Sequence, residues 1–507
     1  MSRGGLQMKK IKGIFTLFVA GGIISLLLFC AKPQHTEKLT ILHWNDFHAS
    51  ALPYEISDET GTKLVSGSAY FSAYLDSLKE KNENALLVCA GDELVGTPVS
   101  TLSKGKAQIE ILNIIHPDVF ELGNHEFDFG VENLKELIRI AQFPIICANV
   151  VDEESGQTLV PPYLILEKGK AKIAFIGLNT EYLKDVVVEE GTKGLKIKKA
   201  KETLEHHLFE LENKTDMQVV VSHMGYKSDV KIAEEVDGIE VIIGGHSPTK
   251  LLQPKFINQT LICQAGSNGR YIGELNLVLD LKKDKIINYD GGLVETLNEK
   301  VTPDPVVQKK VDEFEATYGM ILDEIIGELK TPWTRNEGES NLGNWHADVM
   351  RRYTKSDVAF INSGALRKDL PQGPIRVRDI WEINPFSDHF VSFPLSGSEL
   401  LEVLEINSRG DYELMQVSGL EYIYDPDKPK GKRIIQVLVN GKPLALQKSY
   451  KITINDYMLD HSDKFLGIPK ENLKYEIHPD LDRDVYIQAV RDQKAISSRI
   501  EGRIKGK

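Results

Sequence analysis

The sequence predicts an α/β protein built from two domains. The chain has 507 residues, more than a single hydrophobic core usually organises. In its first half, short β-branched runs alternate with amphipathic stretches at helical spacing, which is the pattern of a layered α/β domain. After about residue 300 this alternation changes, which indicates a second domain.

Six short apolar runs are the predicted strands of the first domain. They cover residues 39–43, 85–89, 117–120, 173–176, 219–221 and 241–243. Between the first two runs, aromatic and apolar residues recur at helical spacing from Tyr70 to Leu78. A helix therefore connects these two strands.

A change of pattern marks the boundary between the domains. Pro303 and Pro305 interrupt the chain, and apolar residues then recur at helical spacing with many charges between them. We therefore divide the chain into an N-terminal segment (1–37), a first domain (38–300), a linker helix (301–329) and a smaller α/β domain (330–500).

The N-terminal segment has the layout of an export signal. Three lysines precede an apolar run over residues 14–29, and Cys30 follows. This layout predicts export to a bacterial cell envelope or periplasm. Cys30 resembles the lipidation cysteine of a lipoprotein, but Phe29 stands where that signal has a small residue. Lipid attachment at Cys30 and a plain signal or uncleaved anchor both remain open.

Charge and cysteine content narrow the class of protein. The formal net charge of −13 offers no basic footprint for a nucleic-acid polymer, whereas a small anionic ligand stays possible in a locally positive pocket. Cys89, Cys147 and Cys263 lie in or beside apolar runs, so we expect buried free thiols rather than a disulfide framework.

Five polar motifs each follow an apolar, strand-like run. In the order of the chain their donor residues are Asp46 with His48, Asp92, Asn124, His223 and His246. Loops at the carboxyl ends of strands in an α/β layer converge on one point. The sequence therefore predicts that these side chains meet.

The donor types indicate a metal centre. Carboxylate, amide and imidazole groups together suit borderline divalent ions such as Zn²⁺ or Mn²⁺. Six donors exceed what one tetrahedral ion needs, so we expect two ions about 3.5–4 Å apart. Each motif alone is weak, since a lone histidine at a strand end is more often structural.

These motifs resemble a known superfamily. The series of motifs is similar to that of calcineurin-like metallophosphatases, and it consists of residues 46–48, 91–92, 123–128, His223 and 245–246. The run 123–128 more narrowly resembles the branch of 5′-nucleotidases and UDP-sugar hydrolases. Runs 339–344, 362–367, 384–386 and 455–457 are similar to motifs of that branch's C-terminal domain. The resemblance covers about residues 38–480 and implies a four-layer α/β/β/α first domain.

By this resemblance, Asp46, His48 and Asp92 hold one ion. Asp92, Asn124, His223 and His246 hold the other, so that Asp92 bridges the two. His125 resembles the family's non-ligand histidine, which stabilises the phosphoryl group or the leaving oxygen, and Asp128 orients it. The alternative for Asp128 is a helix N-cap.

The resemblance also implies a nucleotide pocket in the second domain. Phe386 and Tyr457 match the aromatic pair that stacks on the base, with the alternative that Phe386 is a core residue. The remaining predicted substrate contacts are Asn362, Arg367 and Asp463.

The sequence departs from the family at two places. Pro248 stands where the family has a side-chain donor, so one ion keeps three protein ligands unless Ser247 or Thr249 replaces it. The loops 362–366 and 461–464 lack several family glycines, which changes their conformation and leaves the base preference open.

The expected function is hydrolysis of nucleoside 5′-phosphates to nucleoside and phosphate. A 2′,3′-cyclic-nucleotide phosphodiesterase with 3′-nucleotidase activity and a UDP-sugar hydrolase are alternatives that use the same ions. An envelope protein that binds nucleotides without turnover is an alternative of another class. The sequence leaves the oligomeric state open.

Overall fold

The computed structural model describes residues 35–507 except 59, 60, 83, 337, 387 and 411–413. The predicted signal peptide and the lipidation site Cys30 lie outside these residues. Within the described part of the chain, no helix combines the length and apolarity that crossing a bilayer requires.

Two six-stranded sheets form the first domain. In spatial order, the strands of the first sheet are Lys285–Glu295, Tyr271–Asp280, Thr36–Trp44, Ala85–Cys89, Val119–Glu121 and Ile145–Ile146. Those of the second sheet are Lys255–Ile257, Thr260–Cys263, Val241–Gly244, Met217–His223, Ala171–Asn179 and Tyr163–Lys168. All six predicted strands occur, each within three residues of its predicted start, because their apolar runs are buried on both faces.

The central strands of both sheets are parallel. Thr36–Trp44 pairs with Ala85–Cys89, which pairs in turn with Val119–Glu121. In the second sheet, Met217–His223 pairs in parallel with its neighbours on either side. Parallel pairing puts the carboxyl ends of these strands at one edge of each sheet.

The first domain has four layers, which confirms the predicted α/β/β/α arrangement. The two sheets face each other across a core that includes Ile41, Val88 and Val219. Helices cover the outer faces of the sheets. They are Ser68–Lys81, Lys106–Ile115 and Val131–Ile140 on the first sheet, and Ala200–Leu211 and Tyr226–Glu235 on the second.

The three cysteines of the described chain are buried and free, as predicted. Each belongs to the apolar packing around a strand of the first domain. Burial raises the pKa of the Cys263 thiol to about 12, so this group is inert at neutral pH.

The linker helix is shorter than the sequence predicts. It runs over Pro305–Leu322, where the Asp304 carboxylate accepts hydrogen bonds from the amides of Val306 and Val307. The expected helix over residues 301–329 is wrong at its C-terminal end, because Ile325–Leu329 is a strand that pairs with Gly373–Arg376. The same apolar residues fit helical spacing and a half-buried strand, and tertiary pairing with strands on both sides selects the strand.

The second domain contains three sheets. The strands of its central sheet, in spatial order, are Gln416–Ser418, Val358–Ile361, Ser449–Asn455, His389–Ser396 and Glu476–Leu481. The three-stranded sheet consists, in spatial order, of Gly373–Arg376, Ile325–Leu329 and Ala495–Ile496. The four-stranded sheet consists of Lys442–Pro443, Ile434–Val439, Leu420–Tyr424 and Ile504–Gly506. The strand Ile504–Gly506 lies beyond the expected boundary at residue 500, so this domain extends at both ends.

Short elements complete both domains. Two further antiparallel pairs are Tyr54–Asp58 with Gly61–Val65 and Val150–Asp152 with Leu195–Ile197. The other helices are Pro98–Leu102, Leu183–Val186, Asn341–Thr354, Val377–Ile383, Gly397–Asn407, Asp456–Asp460, Ser462–Phe465 and Asp482–Gln493. Single 3₁₀ turns occur at His125–Phe127, Glu189–Thr192, Asn298–Lys300, Ser363–Ala365 and Lys470–Asn472.

Candidate metal centre

Polar side chains from both sheets meet at the carboxyl ends of the parallel strands. Asp46, Asp92 and Asn124 follow three neighbouring strands of the first sheet. His223 ends one strand of the second sheet, and His246 follows the next strand along that sheet. The predicted donors are therefore brought to one place by the pairing of the strands.

One group of donors surrounds Asp92 on the side of the second sheet. Donor atoms of Asp92, His223 and His246 lie within 4.8 Å of one another, and His223 Nε2 is 3.1 Å from Asp92 Oδ2. Asn124 Oδ1 lies 2.7 Å from His246 Nδ1 and 3.2 Å from His223 Nε2. These four side chains match the set predicted for one ion.

A second group surrounds Asp92 on its other side. Donor atoms of His48, Asp92 and His125 also lie within 4.8 Å of one another. Asp46 Oδ1 is 4.0 Å from His48 Nε2. Asp92 thus belongs to both groups, which is the geometry that a bridging carboxylate requires.

The backbone at this centre adopts uncommon conformations. Four predicted ligand residues have positive φ, at 51° for Asp46, 52° for His48, 59° for Asp92 and 70° for His246. Side-chain-bearing residues rarely adopt this region, and such conformations concentrate at functional sites. Gly123 permits the close approach, since a Cβ atom there would lie 2.3 Å from Asp92 Oδ1.

Backbone carbonyls fix the orientation of two histidines. The Nδ1 atom of His223 lies 2.6 Å from the carbonyl oxygen of Ala90, and that of His48 lies 2.9 Å from the carbonyl oxygen of Val95. When each ring is neutral, donation from Nδ1 to a carbonyl directs the lone pair of Nε2 at the centre. Both imidazoles are therefore arranged as metal ligands usually are.

The protonation states of two histidines and of Asp92 suit a cation. Burial lowers the pKa of His48 to about 3 and that of His246 to about 4, so both rings are neutral and offer lone pairs. Burial alone would raise the pKa of Asp92, but the positive charges of His223 and His125 hold it well below its usual value. Asp92 is therefore a carboxylate near neutral pH.

His223 differs from these two histidines. Burial lowers its pKa, but the carboxylates of Asp92 and Asp46 outweigh this effect and raise the pKa to about 10. A bound ion would therefore have to displace the proton of His223.

Glu126 supports the centre in a way that the sequence analysis missed. Its buried carboxylate accepts hydrogen bonds from the backbone amides of Gly123 (2.6 Å), Asp92 (2.9 Å) and Glu93 (2.8 Å). It thereby holds two ligand-bearing loops together. Its place inside the run 123–128, beside two predicted site residues, was the only signal in the sequence.

His125 and Asp128 form a hydrogen-bonded pair, with His125 Nδ1 2.7 Å from Asp128 Oδ2. Burial lowers the pKa of His125, but the carboxylates of Asp128 and Asp92 outweigh this effect and raise it to about 9. The alternative that Asp128 caps a helix is wrong, because the N-cap of the next helix is Gly130.

The second domain places an aromatic ring and an arginine beside this centre. The ring of Phe386 stacks near that of His125, with centroids 6.1 Å apart and planes at 29°. The guanidinium of Arg367 lies 5.9 Å from the centroid of Phe386. Phe386 is half-buried at the face between the domains, so the alternative of a core residue is wrong.

The other predicted substrate residues are less closely grouped. Asn362 Oδ1 accepts a hydrogen bond of 3.3 Å from Asn455, which also caps the helix that carries Tyr457. The ring of Tyr457 packs against His461, with centroids 4.5 Å apart. Asp463 is exposed, and among the described residues its carboxylate forms no hydrogen bond with the other four.

Ser247 and Thr249 do not replace the donor that Pro248 lacks. The hydroxyl of Ser247 accepts hydrogen bonds from the amide of Tyr226 and from Gln264 Nε2, both at 3.1 Å. It also lies 3.0 Å from the hydroxyl of Thr249. Both hydroxyls are thus engaged within their own loop and at the start of the neighbouring helix.

Comparison with known proteins agrees with this architecture. The calcineurin-like phosphoesterase family matches residues 39–250, and the 5′-nucleotidase C-terminal domain matches residues 325–468. An apyrase of Tabanus yao is 28% identical over 524 residues, covering 92% of this chain and 93% of that protein.

Two further proteins are similar over most of this chain. An endonuclease of Bacillus subtilis (strain 168) is 28% identical over 84% of this chain, which spans 37% of that protein's length. The crystal structure of a 5′-nucleotidase precursor from Thermus thermophilus superposes with a TM-score of 0.85 at 27% identity, covering 93% of this chain and 99% of that one. With matches to a calcineurin-like phosphoesterase domain and to a 5′-nucleotidase C-terminal domain, the chain has the two-domain architecture of 5′-nucleotidases and is a metal-dependent phosphoric ester hydrolase.

Proposed function

We propose that this protein hydrolyses nucleoside 5′-phosphates to nucleoside and phosphate with the help of two divalent ions. One observation carries the proposal: the stack of Phe386 on His125 puts an aromatic platform of the second domain beside a metal-ligand cluster of the first. When the phosphate of a nucleotide is held at the cluster, the base of the same nucleotide can reach this aromatic surface. That combination fits a nucleotide better than a simple phosphate ester.

The residues present fit two borderline divalent ions. We assign Asp46, His48 and Asp92 to one ion, and Asp92, Asn124, His223 and His246 to the other. His48 and His246 are neutral and Asp92 is ionised, which are the states that such ligands need, whereas His223 has to give up a proton to an ion. Bound ions of this kind offset phosphoryl charge and supply hydroxide near neutral pH.

The chain's own residues provide the remaining interactions. Protonated His125 donates a hydrogen bond to a phosphoryl or leaving oxygen, and Asp128 keeps it protonated. Arg367 offers a planar fork to phosphate, and its exposure leaves it free to turn toward substrate. Phe386 and Tyr457 stack on the base, while Asn362 and Asp463 contact the polar edge of the nucleoside.

Phosphate release from a nucleotide panel tests the proposal. The panel contains nucleoside 5′-phosphates, 2′,3′-cyclic nucleotides, a UDP-sugar, and nucleoside di- and triphosphates, since one relative is named an apyrase. We expect release from 5′-monophosphates with added Mn²⁺ or Zn²⁺ and loss of activity on chelation. Nucleotide binding without any phosphate release would instead support the binding protein.

Two variants separate chemistry from binding. Asp92→Asn disturbs both groups of ligands and is expected to lower kcat by about 100-fold or more. Tyr457→Ala is expected mainly to raise KM. Asp427→Asn, at an exposed carboxylate of the second domain, is the matched control. Near-normal turnover by Asp92→Asn would refute the bridging assignment.

We also propose that the enzyme acts outside the cytoplasm. Support comes from the basic and apolar segment that precedes Cys30. Fractionation of cells that produce the full chain tests this, and radiolabelled palmitate uptake, compared with Cys30→Ser, distinguishes lipid attachment from a plain signal.

A further inference from the structure

A second group of metal-ligating side chains lies on the helix Ala200–Leu211, outside the catalytic centre. Donor atoms of His206, His207 and Glu210 lie within 4.8 Å of one another. His206 and Glu210 are four positions apart and His207 and Glu210 are three apart, so one face of the helix carries all three. The proposed function gives these residues no role.

The surroundings of His207 and Glu210 suit a cation. His207 Nδ1 is buried, lies 3.5 Å from Glu210 Oε2, and forms no hydrogen bond among the described residues. Burial lowers the pKa of His207, and a hydrogen bond from the hydroxyl of Tyr163 lowers the pKa of Glu210. At neutral pH the group therefore presents a neutral imidazole and a carboxylate, which metal binding needs.

Tyr163 gives this group the outer support that metal sites usually have. Its hydroxyl donates to Glu210 Oε1 at 2.9 Å, and its ring meets the ring of His207 edge-on with centroids 5.5 Å apart. The two contacts fix the carboxylate and the buried imidazole. Exposed His206 is free to turn toward them and close the site, and Lys214, 3.5 Å from Glu210 Oε1, is exposed and free to leave.

The position of the group separates it from the catalytic centre. The helix ends at Leu211 and leads into the strand Met217–His223, so Glu210 lies near the amino end of that strand. His223, at the other end of the strand, is six residues after Met217, which corresponds to about 20 Å along the strand. A single ion cannot bridge groups this far apart.

We propose that His206, His207 and Glu210 form a surface site for a borderline divalent ion such as Zn²⁺, Ni²⁺ or Cu²⁺. Two imidazoles and one carboxylate favour these ions over Mg²⁺ and Ca²⁺, which prefer oxygen ligands. Three protein ligands leave one tetrahedral position open to water. The ion ties the helix to the strand Tyr163–Lys168 through Glu210 and Tyr163, and so stabilises this outer layer of the domain.

Zinc stoichiometry tests the proposal directly. The full chain, His206→Gln, Glu210→Gln and the control His116→Gln are dialysed against excess Zn²⁺, and bound zinc is counted by mass spectrometry of the metal. His116 is an exposed histidine on another face of the domain. We expect one equivalent fewer in His206→Gln and in Glu210→Gln than in the other two proteins, with unchanged phosphate release in all four.

Thermal unfolding supplies a second readout. We expect Zn²⁺ to raise the Tm of the wild type and of His116→Gln by more than it raises the Tm of the two site variants. Equal zinc content in all four proteins would overturn the proposal. A loss of phosphate release that accompanies the lost zinc equivalent would also overturn it, because the group would then belong to the catalytic centre.

Discussion

The His125–Asp128 pair shows how one carboxylate sets the protonation state of its neighbour. Burial favours a neutral imidazole, whereas the carboxylates of Asp128 and Asp92 favour the cation and prevail, so the pKa of His125 rises to about 9. A histidine in this state donates from both ring nitrogens at neutral pH. One nitrogen is held by Asp128, and the other is available for substrate.

Replacement of Asp128 by Asn is expected to shift the pH dependence of catalysis. The raised pKa keeps His125 protonated up to about pH 9, so activity that needs the cation is lost as pH rises through that value. Without the carboxylate the pKa falls, and the alkaline limb of the kcat profile moves to lower pH by about 1–3 units. The profiles of wild type, Asp128→Asn and the exposed control Asp290→Asn provide the measurement. Coincident alkaline limbs would contradict this role.

At the scale of elements, the loop after the strand Val241–Gly244 is expected to determine how well the proposed ion of Asp46 and His48 is held. In the proposed assignment this loop supplies His246 to one ion, but Pro248 supplies no donor to the other. The hydroxyls of Ser247 and Thr249 are engaged with each other and with the neighbouring helix. The ion of Asp46 and His48 therefore has fewer protein ligands than its neighbour.

Titration of the metal-free protein is expected to resolve one tight and one weaker ion in the catalytic centre. Pro248→Gln adds an amide oxygen at the loop position and is expected to tighten the weaker ion by about tenfold. Pro248→Ala removes the same backbone restraint without adding a donor. It therefore separates the effect of the lost restraint from the effect of the added amide oxygen. The Glu210→Gln background removes the proposed surface site from the titration. Two equally tight ions in the wild type would refute this account.

At the scale of the whole molecule, polar contacts hold the short helix that carries Tyr457 against the first domain. Lys470 Nζ lies 2.8 Å from Asp460 Oδ1 and 3.1 Å from Glu189 Oε2. The amide of Glu189 also donates to Asp460 Oδ2 at 3.1 Å. Asp460 ends the short helix that carries Tyr457, so these contacts tie that helix to the first domain.

Lys470→Met is expected to raise KM for nucleotide by about 2–5-fold and to leave kcat nearly unchanged. Partly exposed ion pairs contribute up to about 1 kcal/mol, and here that energy favours the placement of Tyr457. The effect in the wild type should weaken with added salt. Lys474→Met, at an exposed lysine nearby, is the control. If Lys470→Met and the wild type have the same KM at low salt, the ion pair does not position the helix.

Local patterns predict six strands of the first domain because those strands are buried on both faces. Runs such as 85–89 and 241–243 are continuously apolar, and neighbouring glycines and charges mark their ends. The linker helix was predicted too long, since the apolar residues at 325–329 fit two periodicities. Pairing with Gly373–Arg376, nearly fifty residues away in the chain, selects the strand, and local sequence does not contain that information.

The sequence by itself determined which donors reach the centre, because parallel strands bring their carboxyl ends to one edge whatever the rest of the fold does. Only the tertiary structure decided that Glu126 accepts hydrogen bonds from the loops of Gly123 and Asp92. It also decided that the Ser247 hydroxyl accepts a hydrogen bond from the amide of Tyr226, and that Phe386 stacks on His125. Each of these depends on which distant atoms share a buried space. Burial and hydrogen-bond partners arise from the packing of sheets and domains, and the order of residues along one loop does not specify them.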